Sequence, residues 1–77
     1  MKIRVRLFAS IREKLGYSEK QMEITEGQTL QEVWLGVLGA KEPPENVLMA
    51  INMDYANPDT KVKDGDEVAF FPPVTGG

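Results

Sequence analysis

Histidine and cysteine are both absent from this chain, which removes the side chains that most often serve as general bases, metal ligands and activated nucleophiles. Ser10, Ser18 and the threonines therefore have no imidazole to activate them. Disulfides and thiolate zinc sites are excluded with the cysteines. No G-x-G-x-x-G and no Walker lysine motif occurs, so the chain is not expected to bind a nucleotide by itself. Asp59, Asp64, Asp66 and Glu67 form an acidic cluster, but it lacks EF-hand spacing, and Asp64-Gly65 reads as a tight turn. No resident metal or cofactor is expected. What remains is the end of the sequence, Phe70-Phe71-Pro72-Pro73-Val74-Thr75-Gly76-Gly77. Its terminal carboxylate is the most accessible group for covalent chemistry. A Gly-Gly end can lie flat in a narrow channel and take backbone angles closed to other residues. Two such glycines arise by chance in about one sequence in two hundred. The competing reading is a frayed, dispensable terminus or an arbitrary end.

A tail of this kind needs a body to carry it. The 77 residues suffice for one small domain, spanning 1–77 with 72–77 as an extended tail. That size leaves no room for a deep private active site. Hydrophobic content of 42% and charged content of 27% are ordinary for a globular protein. The net charge of −3 argues against nucleic-acid binding, which needs a basic surface, and is compatible with a basic protein partner. No apolar run approaches ~20 residues, so no membrane span is expected. The opening Met1–Arg6 alternates like a strand rather than a signal peptide, which implies a cytoplasmic protein.

Lys2 to Phe8 alternates with period two, placing Ile3, Val5 and Leu7 on one face and Lys2, Arg4, Arg6 and Phe8 on the other. Ser10-Ile11-Arg12-Glu13 has capping-box spacing, and Gly16 can close a short helical turn. Gln21 to Thr25 reads as a second strand, antiparallel to the first, with Met22 and Ile24 inward. Thr29-Leu30-Gln31-Glu32 is a better capping box, followed by an apolar stripe of Leu30, Val33, Trp34, Val37 and Leu38. That spacing makes Trp34 a core residue. Gly39 ends the helix, and Gly36 inside it reads as a close-packing position. Lys41 to Asn46, with Pro43-Pro44, is a loop. Val47 to Asn52 is apolar on both parities and reads as a strand flanked on both sides. Asn52–Tyr55 is a turn into a short edge segment, and Asn57-Pro58-Asp59 is another turn. Glu67 to Phe71 is the last strand, with Val68 and Phe70 inward and Phe71 outward. Pro72-Pro73 then ends sheet pairing. The order β, β, α, β, short β, β with one helix stripe gives a two-layer α+β domain. Phe8 and Phe71, both aromatic on the face away from the helix, suggest a docking patch.

The segment Asp64–Gly77, DGDEVAFFPPVTGG, closely resembles the end of the molybdopterin synthase small-subunit family, and Val5–Glu13 resembles its first strand and turn. The resemblance covers the whole length and implies the ubiquitin-like β-grasp fold. That fold is a mixed sheet of four to five strands on one main helix, with the first and last strands as central parallel neighbours. It also implies a sulfur carrier. Gly77 would be adenylated with ATP by a ubiquitin-activating-like adenylyltransferase and then converted to a thiocarboxylate by a sulfur donor protein. The tail, with Val74, Thr75 and Gly76 in the partner's channel, would deliver sulfur to cyclic pyranopterin monophosphate in the synthase large subunit, within a heterotetramer. Acid and base groups would come from that subunit. Phe8 and Phe71 fall where the family docks its large subunit, and Tyr55 matches a third apolar contact. A thiamine-pathway sulfur carrier shares the fold and tail chemistry, although the FFPPVTGG ending favours the molybdopterin branch. A ubiquitin-like modifier joined through Gly77 to lysines and a binding module with an idle tail are the other readings.

Overall fold

The structure, a computed structural model, describes residues 1–39 and 46–73. These residues form β1 (Lys2–Leu7), α1 (Ala9–Leu15), β2 (Glu19–Glu23), α2 (Leu30–Leu38), β3 (Leu48–Ile51), β4 (Asp54–Tyr55) and β5 (Glu67–Phe71). The strands make one sheet in the order β2-β1-β5-β3-β4. β1 and β5 are parallel central neighbours, and the other pairings are antiparallel. This is the mixed α+β sheet expected of a β-grasp.

Alternation along β1 and β5 builds the covered face. Ile3, Val5, Leu7, Val68 and Phe70 are all buried beneath the helices. The α2 stripe of Leu30, Val33, Trp34, Val37 and Leu38 is buried as its spacing predicts. Trp34 packs its ring 4.7 Å from that of Phe70. Burying each side chain of this size stabilises the fold by about 1.5–3 kcal/mol. The second capping box forms fully. Thr29 Oγ1 accepts from the Glu32 backbone N–H at 3.2 Å, and Glu32 Oε1 accepts from that of Thr29 at 3.0 Å. Tyr17 packs against the same core, and burial raises its phenol above the usual tyrosine value. No helix among the described residues is long and apolar enough to cross a membrane.

Four local expectations need correction. Ser10 does not cap α1, which starts two residues earlier than a Ser10 cap implies, at Ala9, with Phe8 as its N-cap and no side-chain cap bond. The Phe8 backbone does the joining: its N–H donates to the Phe70 carbonyl at 3.3 Å while its own carbonyl accepts from Ile11 and Arg12. Gly16 then ends the helix in the left-handed region at φ 87°. β2 begins two residues earlier than expected, because the Leu7 N–H already donates to the Ser18 carbonyl at 2.9 Å. Gly36 is exposed, and a Cβ there would meet only the Met22 terminal methyl at 3.5 Å, an ordinary contact. It is therefore not a close-packing position. β3 is covered by helix on one face only, since Leu48 and Ala50 share the open face with Phe71 and Ala69. The expected loop over 41–46 falls, apart from Asn46, outside the described residues.

Candidate docking groove at the tail exit

Cross-strand partners share a face, so the registers lay out the open side of the sheet strand by strand. Glu23, Gln21 and Glu19 of β2 stand beside Lys2, Arg4 and Arg6 of β1. Arg4 and Arg6 stand beside Glu67 and Ala69 of β5. Beyond them, Ala69 and Phe71 pair with Ala50 and Leu48 of β3, and Ala50 pairs with Tyr55 of β4. The face thus runs from charged on the β2 side to apolar on the β4 side. Arg4 lies 3.8 Å from Glu19 and 3.9 Å from Glu67, and Arg6 lies 3.4 Å from Glu67. Exposed pairs of this kind contribute about 0–1 kcal/mol each.

The apolar half is hollow. Ala50 and Ala69 sit directly opposite each other, and their small side chains form a low floor. Phe71 and Tyr55 stand on one side of it, with ring centroids 5.8 Å apart. Phe8 stands on the other, with the Arg6 guanidinium 5.3 Å from its ring centroid. Pro72, Pro73 and Met53 complete a groove of about 590 Å³. Its polar lining side chains are those of Arg6, Glu67 and Tyr55, and the first two pair with each other. Such a surface can bind apolar groups.

Phe8, Phe71 and Tyr55 are therefore brought together. Phe8 is 40% exposed and Tyr55 78% exposed, while Phe71 is half-buried. Pro72 and Pro73 leave the sheet at the groove's edge, as their chemistry requires. Val74, Thr75, Gly76 and Gly77 lie outside the described residues. The acidic cluster is used locally. Asp64 Oδ1 accepts from the Lys2 backbone N–H at 2.8 Å, and Asp66 Oδ2 accepts from that of Lys63 at 2.8 Å. Among the described residues no three acidic side chains converge on a metal-sized site.

Met53, Ala50 and Ala69 were missed as groove residues. A signal for Met53 was present: it follows Asn52 in a two-residue turn, where glycine is the usual second residue. The alanine floor depends on strand register, which alternation alone does not supply.

With the geometry established, three kinds of comparison bear on the chain. The sequence profile of the ThiS family matches residues 5–77. The molybdopterin synthase sulfur carrier subunit of Chlamydomonas reinhardtii is 35% identical over alignment of the whole of both chains. A chain in the complex of subunits 1 and 2 of molybdopterin-converting factor from Helicobacter pylori is 27% identical, with full coverage of both chains and a TM-score of 0.68. Small archaeal modifier protein 1 of Haloferax volcanii, 24% identical with full coverage of both chains, shares the ubiquitin-like β-grasp fold at a TM-score of 0.79.

Proposed function

The chain belongs to the ThiS family, and on that premise we propose that it is the sulfur carrier subunit of a molybdopterin synthase. The observation that carries this reading is the full-length similarity to a molybdopterin synthase sulfur carrier subunit. The chain's own chemistry is consistent with it, because a carrier needs no acid or base of its own.

In this role the Gly77 carboxylate is the working group. A carboxylate resists substitution because its leaving group would be oxide. Attack of its oxygen on the α-phosphorus of ATP, in a ubiquitin-activating-like adenylyltransferase, releases pyrophosphate and forms an acyl-adenylate. A sulfur nucleophile at the oxidation level of sulfide, delivered by a donor protein, then attacks the acyl carbon. The C–O bond to AMP breaks and a thiocarboxylate forms. In the large subunit the thiocarboxylate sulfur forms a bond to a carbon of cyclic pyranopterin monophosphate, whose bond to an oxygen substituent breaks as that oxygen leaves as phosphate or water. Water then attacks the acyl carbon, the acyl C–S bond breaks with the sulfur staying on the pterin, and the carboxylate is restored. Two charged copies supply the two sulfurs of the dithiolene. Phe8, Tyr55 and Phe71 dock the large subunit, Val74 and Thr75 span its channel, and Gly76 and Gly77 present the sulfur without steric hindrance.

The test is intact mass after incubation with the activating enzyme, ATP and a sulfur donor. One oxygen should be replaced by sulfur, at Gly77 by fragmentation. An unchanged mass, with the enzyme active on a known carrier, removes the proposal. Deleting Gly77 should abolish molybdopterin formation while the domain stays folded.

A further inference from the structure

Met53 has an unusual backbone for a groove residue, a feature it shares with Ala9. It is the second residue of the two-residue turn that joins β3 to β4, across which Ile51 pairs with Asp54. Asn52 has φ 51° and Met53 has φ 72°, both in the left-handed region, which makes a type I′ turn. Asparagine tolerates that region well, whereas methionine there carries steric strain that glycine would not. Burial does not offset the strain, because Met53 is 92% exposed. Nor is the turn free to relax. The Asn52 N–H donates to the Glu67 carbonyl at 2.7 Å. Asn52 Nδ2 donates to Asp66 Oδ1 and the Glu67 N–H donates to Asn52 Oδ1, both at 3.0 Å. The tip is clamped to the start of β5, with Met53 at the rim of the groove.

Strain is concentrated around this groove. The described non-glycine residues with positive φ are Ala9, Asn52 and Met53, and both Ala9 and Met53 line it. Backbone strain persists where the surrounding structure over-determines it, and it clusters at binding sites. Resting on the docking function given above, we propose that Met53 is a partner anchor. Its side chain enters an apolar pocket of the large subunit when the groove docks, extending the interface past the aromatic patch onto the β3–β4 turn. An unbranched, polarizable thioether suits such a pocket. Binding is where its exposed apolar surface is removed from water.

The proposal gives folding and binding opposite signs at one residue. Met53→Gly relieves the turn, and Met53→Asn keeps a side chain tolerant of the left-handed region but without apolar reach. Met53→Leu keeps the apolar reach. Each variant is titrated calorimetrically into the large subunit of the same organism, and its thermal unfolding is followed separately. Met53→Gly should raise the Tm by roughly 4 °C and weaken binding about tenfold. Met53→Asn should weaken binding similarly, and Met53→Leu should bind within about twofold of the unsubstituted chain. Binding of Met53→Gly within that same twofold range overturns the anchor. Failure of the unsubstituted chain to bind is a different result, which overturns the docking function beneath it.

Discussion

Asn52→Ala tests whether the β3–β4 turn is clamped as the hydrogen bonds indicate. The substitution deletes two side-chain bonds, one from Asn52 Nδ2 to Asp66 Oδ1 and one from the Glu67 N–H to Asn52 Oδ1, each 3.0 Å long. Net contributions of about 0.5–1.5 kcal/mol per bond apply, and the exposed position places these near the lower end, about 1.5 kcal/mol together. Alanine must also hold φ near 51°, a left-handed conformation that it tolerates less well than asparagine, by about 1 kcal/mol. The sum, roughly 2–3 kcal/mol, is a large part of the ~5–10 kcal/mol that holds a domain of this size together. In urea, with an m-value of about 1 kcal/mol/M, the midpoint should fall by roughly 2 M. Asn52→Gly loses the same bonds but not the steric comfort of the turn, so it should be less destabilised than Asn52→Ala, by roughly 1 kcal/mol. An Asn52→Ala protein within about 0.5 kcal/mol of the original would show that the clamp does not hold the turn. Met53 would then have no reason to stay at the groove.

Gly36→Ala should stabilise the domain by about 1 kcal/mol, because the glycine sits inside α2 and the added methyl meets only the flexible end of Met22 at 3.5 Å. A lower urea midpoint for this variant would reveal a crowding that the geometry does not show. Ala69→Leu raises the floor of the groove on the open face opposite Ala50. It should cost less than about 1.5 kcal/mol of stability yet weaken large-subunit binding at least tenfold, to roughly 1.4 kcal/mol or more. Unchanged affinity by calorimetry would take the groove out of the interface.

The elements legible in the sequence are those whose burial is one-sided and deep. Ile3, Val5 and Leu7 alternate because one face of β1 meets the core, and the α2 stripe repeats because one side of that helix does. β2 was displaced by two residues because it is an edge strand with exposed or half-buried side chains throughout, so no apolar pattern marks its ends. Ser10 misled because its spacing to Glu13 fits a capping box, yet the sheet bond at Phe8 starts the helix earlier. At the groove, Phe8 and Phe71 were visible as aromatics on the wrong parity for the core. Tyr55 was reached only through family resemblance. The alanine floor was not legible at all, because small residues acquire meaning only when register places them opposite each other.

The groove and the tail exit coincide for a topological reason. β1 and β5 are parallel neighbours, with Leu7 opposite Phe70, so both strands end at the same edge of the sheet. Phe8 follows the end of one and Phe71 is the end of the other. An antiparallel pair would put these residues at opposite edges, and Pro72-Pro73 would leave the sheet far from Phe8. The parallel pairing instead places the proline exit beside the apolar groove, so in the proposed carrier role docking the groove would also fix the point from which the chain beyond Pro73 starts. For the proposed sulfur delivery, six residues from Pro72 to Gly77 could span at most roughly 20 Å, a reach that would serve only if its origin were fixed against the partner. The central parallel pair thus does two things with the same residues: it buries Leu7 and Phe70 to hold the fold, and it sets Phe8 and Phe71 at the point where the chain must depart.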